Sequence, residues 1–276
     1  MKPFNWRIQR PLALRLGLEA VAIIEAGHYE SPSGKTVDIA AFIESAKAGT
    51  ESYPPGRSTP VSRKGAWDTV IEIENESTLS AGERLLRSGL NPVVLNFASA
   101  THPGGGFLNG ARAQEEYLAR SSGLYACLAR NPMYAFHREQ ADQLYSDYVI
   151  YSPGVPVFRD DSGALLEDPY SIGVITSPAV NASGLPLGRM GEIEEAMRGR
   201  IRKVLSVGLL HGHDAIVLGA WGCGAFGNDS SLMARLFKES IRVDFPGAYN
   251  RIVFAIVDTW EDRRTIGPFR EVFGVG

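Results

Sequence analysis

The stretch PVVLNFASATHPGGGFLNGARAQEE, residues 92–116, determines how the chain folds and where its site should lie. It opens with a mostly apolar run at residues 92–98, which is typical of a strand buried on both faces of a sheet. Three glycines follow, Gly104, Gly105 and Gly106. Because glycine loses more backbone freedom on folding than any other residue, such a run indicates that something must approach this backbone closely.

Two adjacent glutamates, Glu115 and Glu116, stand at the predicted start of the next helix. Acidic residues are common in a first helical turn because the helix dipole favours them, so the pair alone does not establish catalysis. Adjacent side chains on a regular helix point about 100° apart, and both could face one cleft only at an irregular helix start. One carboxylate could then hold ligand hydroxyls while the other, protonated, acts as a general acid. The direction of the pKa shift stays open, since nearby negative charge raises the pKa and a helix N-terminus lowers it.

On either side of this stretch, strands alternate with helices. Further strands are predicted at residues 68–74, 147–158, 170–180, 214–222 and 250–258, and helices at residues 77–89, 112–130, 190–210 and 229–245. The alternation predicts an α/β fold with a mostly parallel or mixed sheet covered by helices on both faces. In such sheets, ligands bind beyond the carboxyl ends of the strands.

The first part of the chain has a different pattern. It predicts a helix ending at Gly27, two short extended pieces within residues 28–39, a helix over residues 39–50 and a loop over residues 52–60. We therefore expect a mainly helical N-terminal extension over residues 1–77, followed by a catalytic domain over residues 78–276.

Composition limits the possible functions. The chain has 276 residues, 44% hydrophobic and 21% charged, as in an ordinary globular protein. A net charge of −3 gives no basic field for coating a nucleic acid. Two cysteines, Cys127 and Cys223, are too few for a disulfide framework. With no signal-peptide core and no stretch long enough to span a bilayer, we expect a cytoplasmic protein without a membrane partner.

A second glycine cluster, WGCGAFGND at residues 221–229, follows a predicted strand and precedes a helix. Gly222, Gly224 and Gly227 have the spacing of a dinucleotide-binding fingerprint, but that motif normally opens a long doubly wound sheet and here lies near the end of the chain. A nicotinamide dehydrogenase is therefore a minor alternative, as is a tight turn without a ligand. Free N–H groups next to a helix N-terminus favour a diphosphate site.

Other reactive side chains give weaker signals. His211 and His213, which precede a strand, are predicted to be solvated rather than metal ligands. Cys223 is predicted to serve as a small loop residue rather than a nucleophile, because no histidine is clearly paired with it. Phe226, taken alone, could simply be a core residue. No metal and no cofactor are predicted.

Taken together, GGG, the spacer FLNGARA and QEE resemble the signature of bacterial-type poly(ADP-ribose) glycohydrolases. VLGAWGCGAFGN, residues 217–228, resembles the diphosphate-binding loop of the same family, and EAGHYESPSG, residues 25–34, resembles its leader segment. The resemblance implies a macrodomain-like mixed sheet sandwiched between helices. It also implies hydrolysis of the ribose–ribose O-glycosidic bonds of poly(ADP-ribose), with release of ADP-ribose and reversal of ADP-ribosylation, as in the response to DNA damage.

The resemblance also implies roles for individual residues. Glu116 would protonate the leaving ribose oxygen, and Glu115 would bind hydroxyls around the scissile bond. Phe226 would pack against the terminal ribose. The second asparagine of the ordinary macrodomain pattern would fall near Ser99. The implied substrate-binding residues are Asn96, Gly104, Gly105, Gly106, Gln114, Gly222, Cys223, Gly224, Ala225, Phe226, Gly227 and Asn228.

Cleavage of a ribosyl bond passes through an oxocarbenium-like state, which needs an acid and nearby negative charge. The diphosphate of the ligand can supply that charge, so a second protein nucleophile is not required. The substrates implied are poly(ADP-ribose) and ADP-ribosylated proteins, with no nucleic acid bound directly. A non-catalytic ADP-ribose-binding macrodomain and a mono-ADP-ribosyl-protein hydrolase stay open as alternatives. Residues 258–273 could line or block the adenine-side groove, which would decide between exo and endo cleavage.

Overall fold

The computed structural model describes residues 8–59 and 65–274. Pro60, the last residue of the predicted loop, lies outside them, as does the start of the N-terminal extension. The helices are α1 (Arg10–Ala26), α2 (Ala40–Ala48), α3 (Thr78–Arg87), α4 (Gln114–Ser121), α5 (Leu124–Leu128), α6 (Pro132–Gln140), α7 (Ile193–Leu210), α8 (Ser230–Glu239) and α9 (Ile266–Phe273). The strands are β1 (His28–Glu30), β2 (Thr36–Asp38), β3 (Glu51–Tyr53), β4 (Val70–Glu74), β5 (Pro92–Phe97), β6 (Val149–Arg159), β7 (Leu165–Ser177), β8 (Ala215–Leu218) and β9 (Arg251–Ala255).

Seven strands form one mixed sheet in the order β3-β6-β7-β5-β8-β9-β4. The pairs from β7 to β4 are parallel, whereas β3–β6 and β6–β7 are antiparallel. Successive residues of β5 alternate between two cores: Val93 and Leu95 join the core that includes α7 and α8, and Val94 joins the one that includes α3 and α4. Helices therefore cover both faces, and the predicted α/β class is confirmed.

Both edge strands of this sheet come from the segment before residue 78. β3 pairs with β6 at one edge, and β4 pairs with β9 at the other. β3 has only three residues and was not predicted, because so short an edge strand carries no readable alternation. The division expected between residues 77 and 78 thus does not coincide with a boundary of the sheet.

The N-terminal segment otherwise follows its sequence pattern. α1 ends at Gly27 in the left-handed region, with φ of 72°, and its N–H donates to the Ile23 carbonyl. The two extended pieces form the hairpin β1–β2. None of the described helices has the length and apolar character needed to cross a membrane.

Three helical segments differ from the prediction. The helix expected over residues 112–130 is broken at Ser122, which is extended and bridges to Val157 of β6. α6 was missed, although Asn131 caps it by accepting from the Met133 N–H and Pro132 opens it, which is a readable start signal. α9 was also missed.

Candidate active site

The paired glutamates and the loop after β8 line one cavity of about 430 Å³. The cavity lies beyond the carboxyl ends of β5, β8 and β9, where the alternating pattern places a ligand site. Of the predicted site residues, those on its walls are Gln114, Glu115, Glu116, Gly222, Cys223, Gly224, Ala225 and Phe226. Two motifs that are far apart in the sequence thus line one cleft.

Gln114 fixes the start of α4 against the end of β5. Its side-chain carbonyl accepts from the Phe97 N–H at 2.9 Å, and its amide nitrogen donates to the Leu95 carbonyl at 2.8 Å. The same nitrogen also donates to the Thr78 hydroxyl at 3.1 Å. Both amide hydrogens are therefore bound within the protein, so Gln114 acts here as a brace between strand and helix.

Glu115 is buried, with 3% of its surface exposed, and is held by the end of β5. Oε2 accepts from the Ser99 N–H at 2.6 Å, and Oε1 is 3.4 Å from the Asn96 amide nitrogen. The pKa of Glu115 is raised to about 8, mainly by burial, which outweighs the opposing effect of the Ser99 N–H; negative charge on the adjacent Glu116 contributes to the rise. The Glu115 carboxyl is therefore largely protonated at neutral pH.

Glu116 is also buried, with 8% exposed, but has fewer partners. Its Oε1 accepts from the Gly106 N–H at 2.9 Å, while Oε2 has no hydrogen-bond partner among the described residues. One oxygen is thus anchored, and the other is buried without a hydrogen-bond partner in the described part of the chain.

Gly105 explains why glycines precede the glutamates. A Cβ atom at this position would lie 2.3 Å from Oε1 of Glu116 and 3.0 Å from Oε2 of Glu115, and φ is +61°. Only glycine tolerates both the close contact and the left-handed backbone. The groups that approach the glycine backbone closely therefore include the protein's own carboxylates. The flanking Gly104 and Gly106 share this position beside the pair, and the three are not among the described residues that line the cavity.

Asn96 lies behind the pair rather than on the cavity wall. It is fully buried, its amide nitrogen is 3.3 Å from the Thr176 hydroxyl, and its Oδ1 has no partner among the described residues. Ser99, which was not predicted as a site residue, lines the cavity and donates its N–H to Glu115. The Asn96 side chain thus supports the Glu115 carboxyl from β5.

The loop that follows β8 lines the same cavity, and hydrogen bonds join its two ends. The Asn228 side chain donates to the carbonyls of Gly222 and Val180 at 3.1 and 2.8 Å, which ties both ends of the loop together. A Cβ at Gly222 would lie 2.6 Å from that of Ala179. At Gly224, by contrast, a Cβ would meet no described atom within 4 Å, so the loop backbone is open to a ligand there.

The structure also shows the environments of three further predicted residues of this loop, Cys223, Phe226 and Gly227. Desolvation raises the pKa of the half-buried Cys223 to about 12, so its thiol stays protonated and is a poor nucleophile. Phe226 lines the cavity, with its ring centroid 6.1 Å from that of Tyr145. Gly227 packs behind the loop, where a Cβ would lie 2.4 Å from the Ser183 hydroxyl oxygen.

Sequence reasoning did not assign several residues of the cavity wall. Arg112, Trp260 and Thr265 line it, and the last two belong to the 258–273 segment whose position was left open. Asp258 holds that segment, since its carboxylate accepts from the backbone N–H groups of Trp260, Thr265 and Ile266. The available signal was an acidic residue at the end of the strand predicted over residues 250–258.

The prediction that His211 and His213 are solvated is wrong. The His211 ring stacks on Tyr151 at 3.6 Å, and its Nε2 bonds the Tyr53 hydroxyl at 2.8 Å. His213 is buried and bonds the Tyr151 hydroxyl at 2.9 Å. The aromatic partners come from β3 and β6, which are distant in the sequence. Within residues 8–59 and 65–274, no group of three histidine, cysteine or acidic side chains could hold a metal ion.

Comparison with known proteins identifies a family. The family model for the catalytic domain of microbial-type PARG, poly(ADP-ribose) glycohydrolase, matches residues 18–160. That range includes the glycine run and both glutamates. The comparison with curated proteins gave no match.

Solved structures give the same result over nearly the whole chain. The poly(ADP-ribose) glycohydrolase of Thermomonospora curvata is 46% identical, with a TM-score of 0.89 and coverage of 95% of this chain and 99% of that chain. The same enzyme bound to the inhibitor ADP-HPD superimposes with a TM-score of 0.87 at 46% identity, over 94% and 98% of the two chains. The Deinococcus radiodurans enzyme in complex with ADP-ribose is 38% identical, with a TM-score of 0.78 and coverage of 84% and 96%.

The raised pKa of Glu115 predicts a pH-dependent stability. Its pKa rises from a reference value of 4.5 to about 8 in the folded protein. Between these two pH values, the unfolded chain therefore releases a proton that the folded chain keeps. Wild type should therefore lose stability relative to Glu115→Gln as pH rises from about 5 to about 8, by about 1.4 kcal/mol per pH unit at most. Urea unfolding across this range measures the difference.

The matched control is Glu139→Gln, because Glu139 is exposed on α6. Its free energy of unfolding should follow that of wild type at each pH. A constant difference between wild type and Glu115→Gln would contradict the assignment of a raised pKa to Glu115.

Proposed function

The chain belongs to the microbial-type poly(ADP-ribose) glycohydrolase family, and on this premise we propose that it hydrolyses ribose–ribose O-glycosidic bonds by general acid catalysis from Glu116. The product released is ADP-ribose. One observation carries the proposal: two buried carboxylates lie side by side in a cavity that is also lined by a glycine-rich loop with an open backbone at Gly224.

Glu116 is the proposed acid because one of its oxygens is anchored, whereas the other, although buried, has no hydrogen-bond partner among the described residues. The Gly106 N–H holds Oε1, which leaves Oε2 to donate a proton to the leaving ribose oxygen. As that C–O bond breaks, its electron pair goes to the protonated oxygen, and positive charge develops on the ribosyl carbon. Water then adds to this carbon and returns a proton to the Glu116 carboxylate.

Glu115 is the other candidate acid, because burial raises its pKa to about 8. Its two oxygens, however, already face the Ser99 N–H and the Asn96 amide, which hold the carboxyl against the end of β5. We therefore propose that Glu115 binds hydroxyls around the scissile bond and fixes the orientation of the ribose. A protonated carboxyl suits this role because it can both donate and accept hydrogen bonds.

Backbone groups are the proposed diphosphate ligands. The loop from Gly222 to Asn228 precedes the N-terminus of α8, and its exposed Gly224 permits close approach of a phosphate. Phe226 is proposed to pack against the terminal ribose, and residues 104–106 to approach the ligand from the side of the glutamates. A protein that binds one terminal unit in this way needs no basic stripe, whereas a protein that coats a nucleic acid does. ADP-ribosylated proteins are the proposed partners.

Substitution of the proposed acid tests the mechanism. Glu116→Gln should lower ADP-ribose release from purified poly(ADP-ribose) by roughly a hundredfold or more, because amide nitrogen cannot donate a proton to the leaving oxygen as an acid does. Binding of free ADP-ribose should persist. Glu139→Gln is the control and should retain the wild-type rate. If Glu115→Gln lost the larger share of activity with binding intact, the acid would be Glu115 instead.

Defined substrates separate this function from its alternatives. Poly(ADP-ribose) should be cleaved by wild type, whereas a protein carrying a single ADP-ribose on a side chain should react at least about tenfold more slowly, since its bond offers no ribose leaving group. Release from the singly modified protein alone would indicate a mono-ADP-ribosyl-protein hydrolase. ADP-ribose binding without any release would indicate a binding module.

We propose that the reaction is metal-independent, because Glu116 can supply the proton and the ligand diphosphate the negative charge. Dialysis against EDTA should therefore leave the rate of ADP-ribose release within about twofold of the untreated enzyme. A loss of activity that added Mg²⁺ or Zn²⁺ restores would overturn this.

We further propose a cytoplasmic location, because both cysteines are free thiols. Recovery of the protein from an extracytoplasmic fraction of intact cells would argue against it.

A further inference from the structure

Helix α1 touches the backbone of the loop that carries the three glycines. A Cβ atom at Gly17 of α1 would lie 2.7 Å from the carbonyl oxygen of Phe107 and 3.3 Å from its ring. Real Cβ atoms do not come within 3.0 Å of a backbone oxygen, so the helix can lie this close only because residue 17 has no side chain. A second contact of this kind occurs in the loop itself, at Gly110, where a Cβ would lie 2.7 Å from the Arg10 carbonyl oxygen.

Phe107 connects this contact to the carboxylates. Its ring is 1% exposed and reaches within 2.9 Å of the Cβ position at Gly104. Its backbone directly follows Gly106, whose N–H holds Oε1 of Glu116 at 2.9 Å. A displacement of the Phe107 backbone therefore moves the peptide that orients the proposed acid.

Polar contacts tie the start of α1 to both ends of the same loop. The Arg10 Nε donates to the Asn109 carbonyl at 3.1 Å, and Arg112, a cavity-lining residue, donates to the Ile8 carbonyl at 3.2 Å. The N-terminal segment is thus bonded to the stretch between the glycines and the glutamates as well as packed on it.

We propose that α1 is a positioning element of the active site and that Gly17 is its positioning residue. The helix is a fixed surface against which the Phe107 backbone rests, and this sets where the Gly106 N–H holds Glu116. The inference rests on the proposed function of Glu116, and it assigns a role to a segment some hundred residues away in the sequence.

Substitution of Gly17 by alanine tests the contact, with Gly199→Ala as the matched control. Both glycines lie inside helices, but a Cβ at Gly199 of α7 would meet no described atom within 4 Å. Each substitution raises helix propensity equally, so they differ only in the contact with Phe107. Rates are expressed per ADP-ribose-binding site, which removes any misfolded fraction from the comparison.

Gly17→Ala should lower kcat about tenfold, since a shift of about 1 Å in a catalytic group can cost about a hundredfold. The Kd for ADP-ribose should stay within about threefold of wild type, because the loop from Gly222 to Asn228 is untouched. Gly199→Ala should change neither value. An unchanged kcat with a lowered Tm would overturn the proposal, because the contact would then serve stability alone.

Two further measurements test the proposal if Gly17→Ala does not fold or if wild type is inactive. If Gly17→Ala does not fold, Arg10→Ala removes the exposed tie to Asn109 and should lower kcat about threefold, whereas a wild-type kcat would overturn the proposal. If wild type itself releases no ADP-ribose, the proposed function fails separately. The positioning role is then tested by amide hydrogen exchange at Gly106, which should be about tenfold faster in Gly17→Ala than in Gly199→Ala.

Discussion

The active site depends on one side chain, Gln114, which joins the last residues of β5 to the first residue of α4. By accepting from the Phe97 N–H and donating to the Leu95 carbonyl, it pairs with the strand end much as a neighbouring strand would. This constraint sets the helix start beyond the carboxyl end of the central strand. Glu115 and Glu116, which follow directly, must then enter the cavity there. The hydrogen bonds of this amide to β5 and Thr78 thus set the geometry of the glutamates that follow it.

Two carboxylates in so small a volume would repel each other and lose hydration, and the glycine run offsets part of this cost. At Gly105 the absence of a Cβ lets the backbone lie against both carboxylates, so that the N–H of Gly106 can bond Glu116. A backbone donor supplies hydrogen bonding without a side chain that would fill the cleft. The glycine run at residues 104–106 therefore serves the protein's own carboxyl groups first.

The features that could be predicted from sequence were local or regular. The apolar run of β5, the glycine spacing and the adjacent glutamates are contiguous in the chain, so their chemistry could be inferred before the structure. Features that depend on distant pairing could not. β3 is defined by its partner β6, and the stacking of His211 on Tyr151 arises only once that edge of the sheet has formed. The support that Asn96 gives from behind Glu115 likewise needs the register of α4 on β5.

Glu115 and Glu116 are chemically identical neighbours, and their surroundings make them different. Glu115 faces the strand end, where burial outweighs the Ser99 N–H and keeps the carboxyl protonated at neutral pH. Glu116 is anchored by one oxygen to the backbone N–H of Gly106, in a loop that packs against α1. One carboxyl is thus fixed by the sheet and the other by a loop resting on α1. Two neighbouring acids with unequal environments can divide orientation and proton transfer between them, and here that division follows from which part of the fold supports each one.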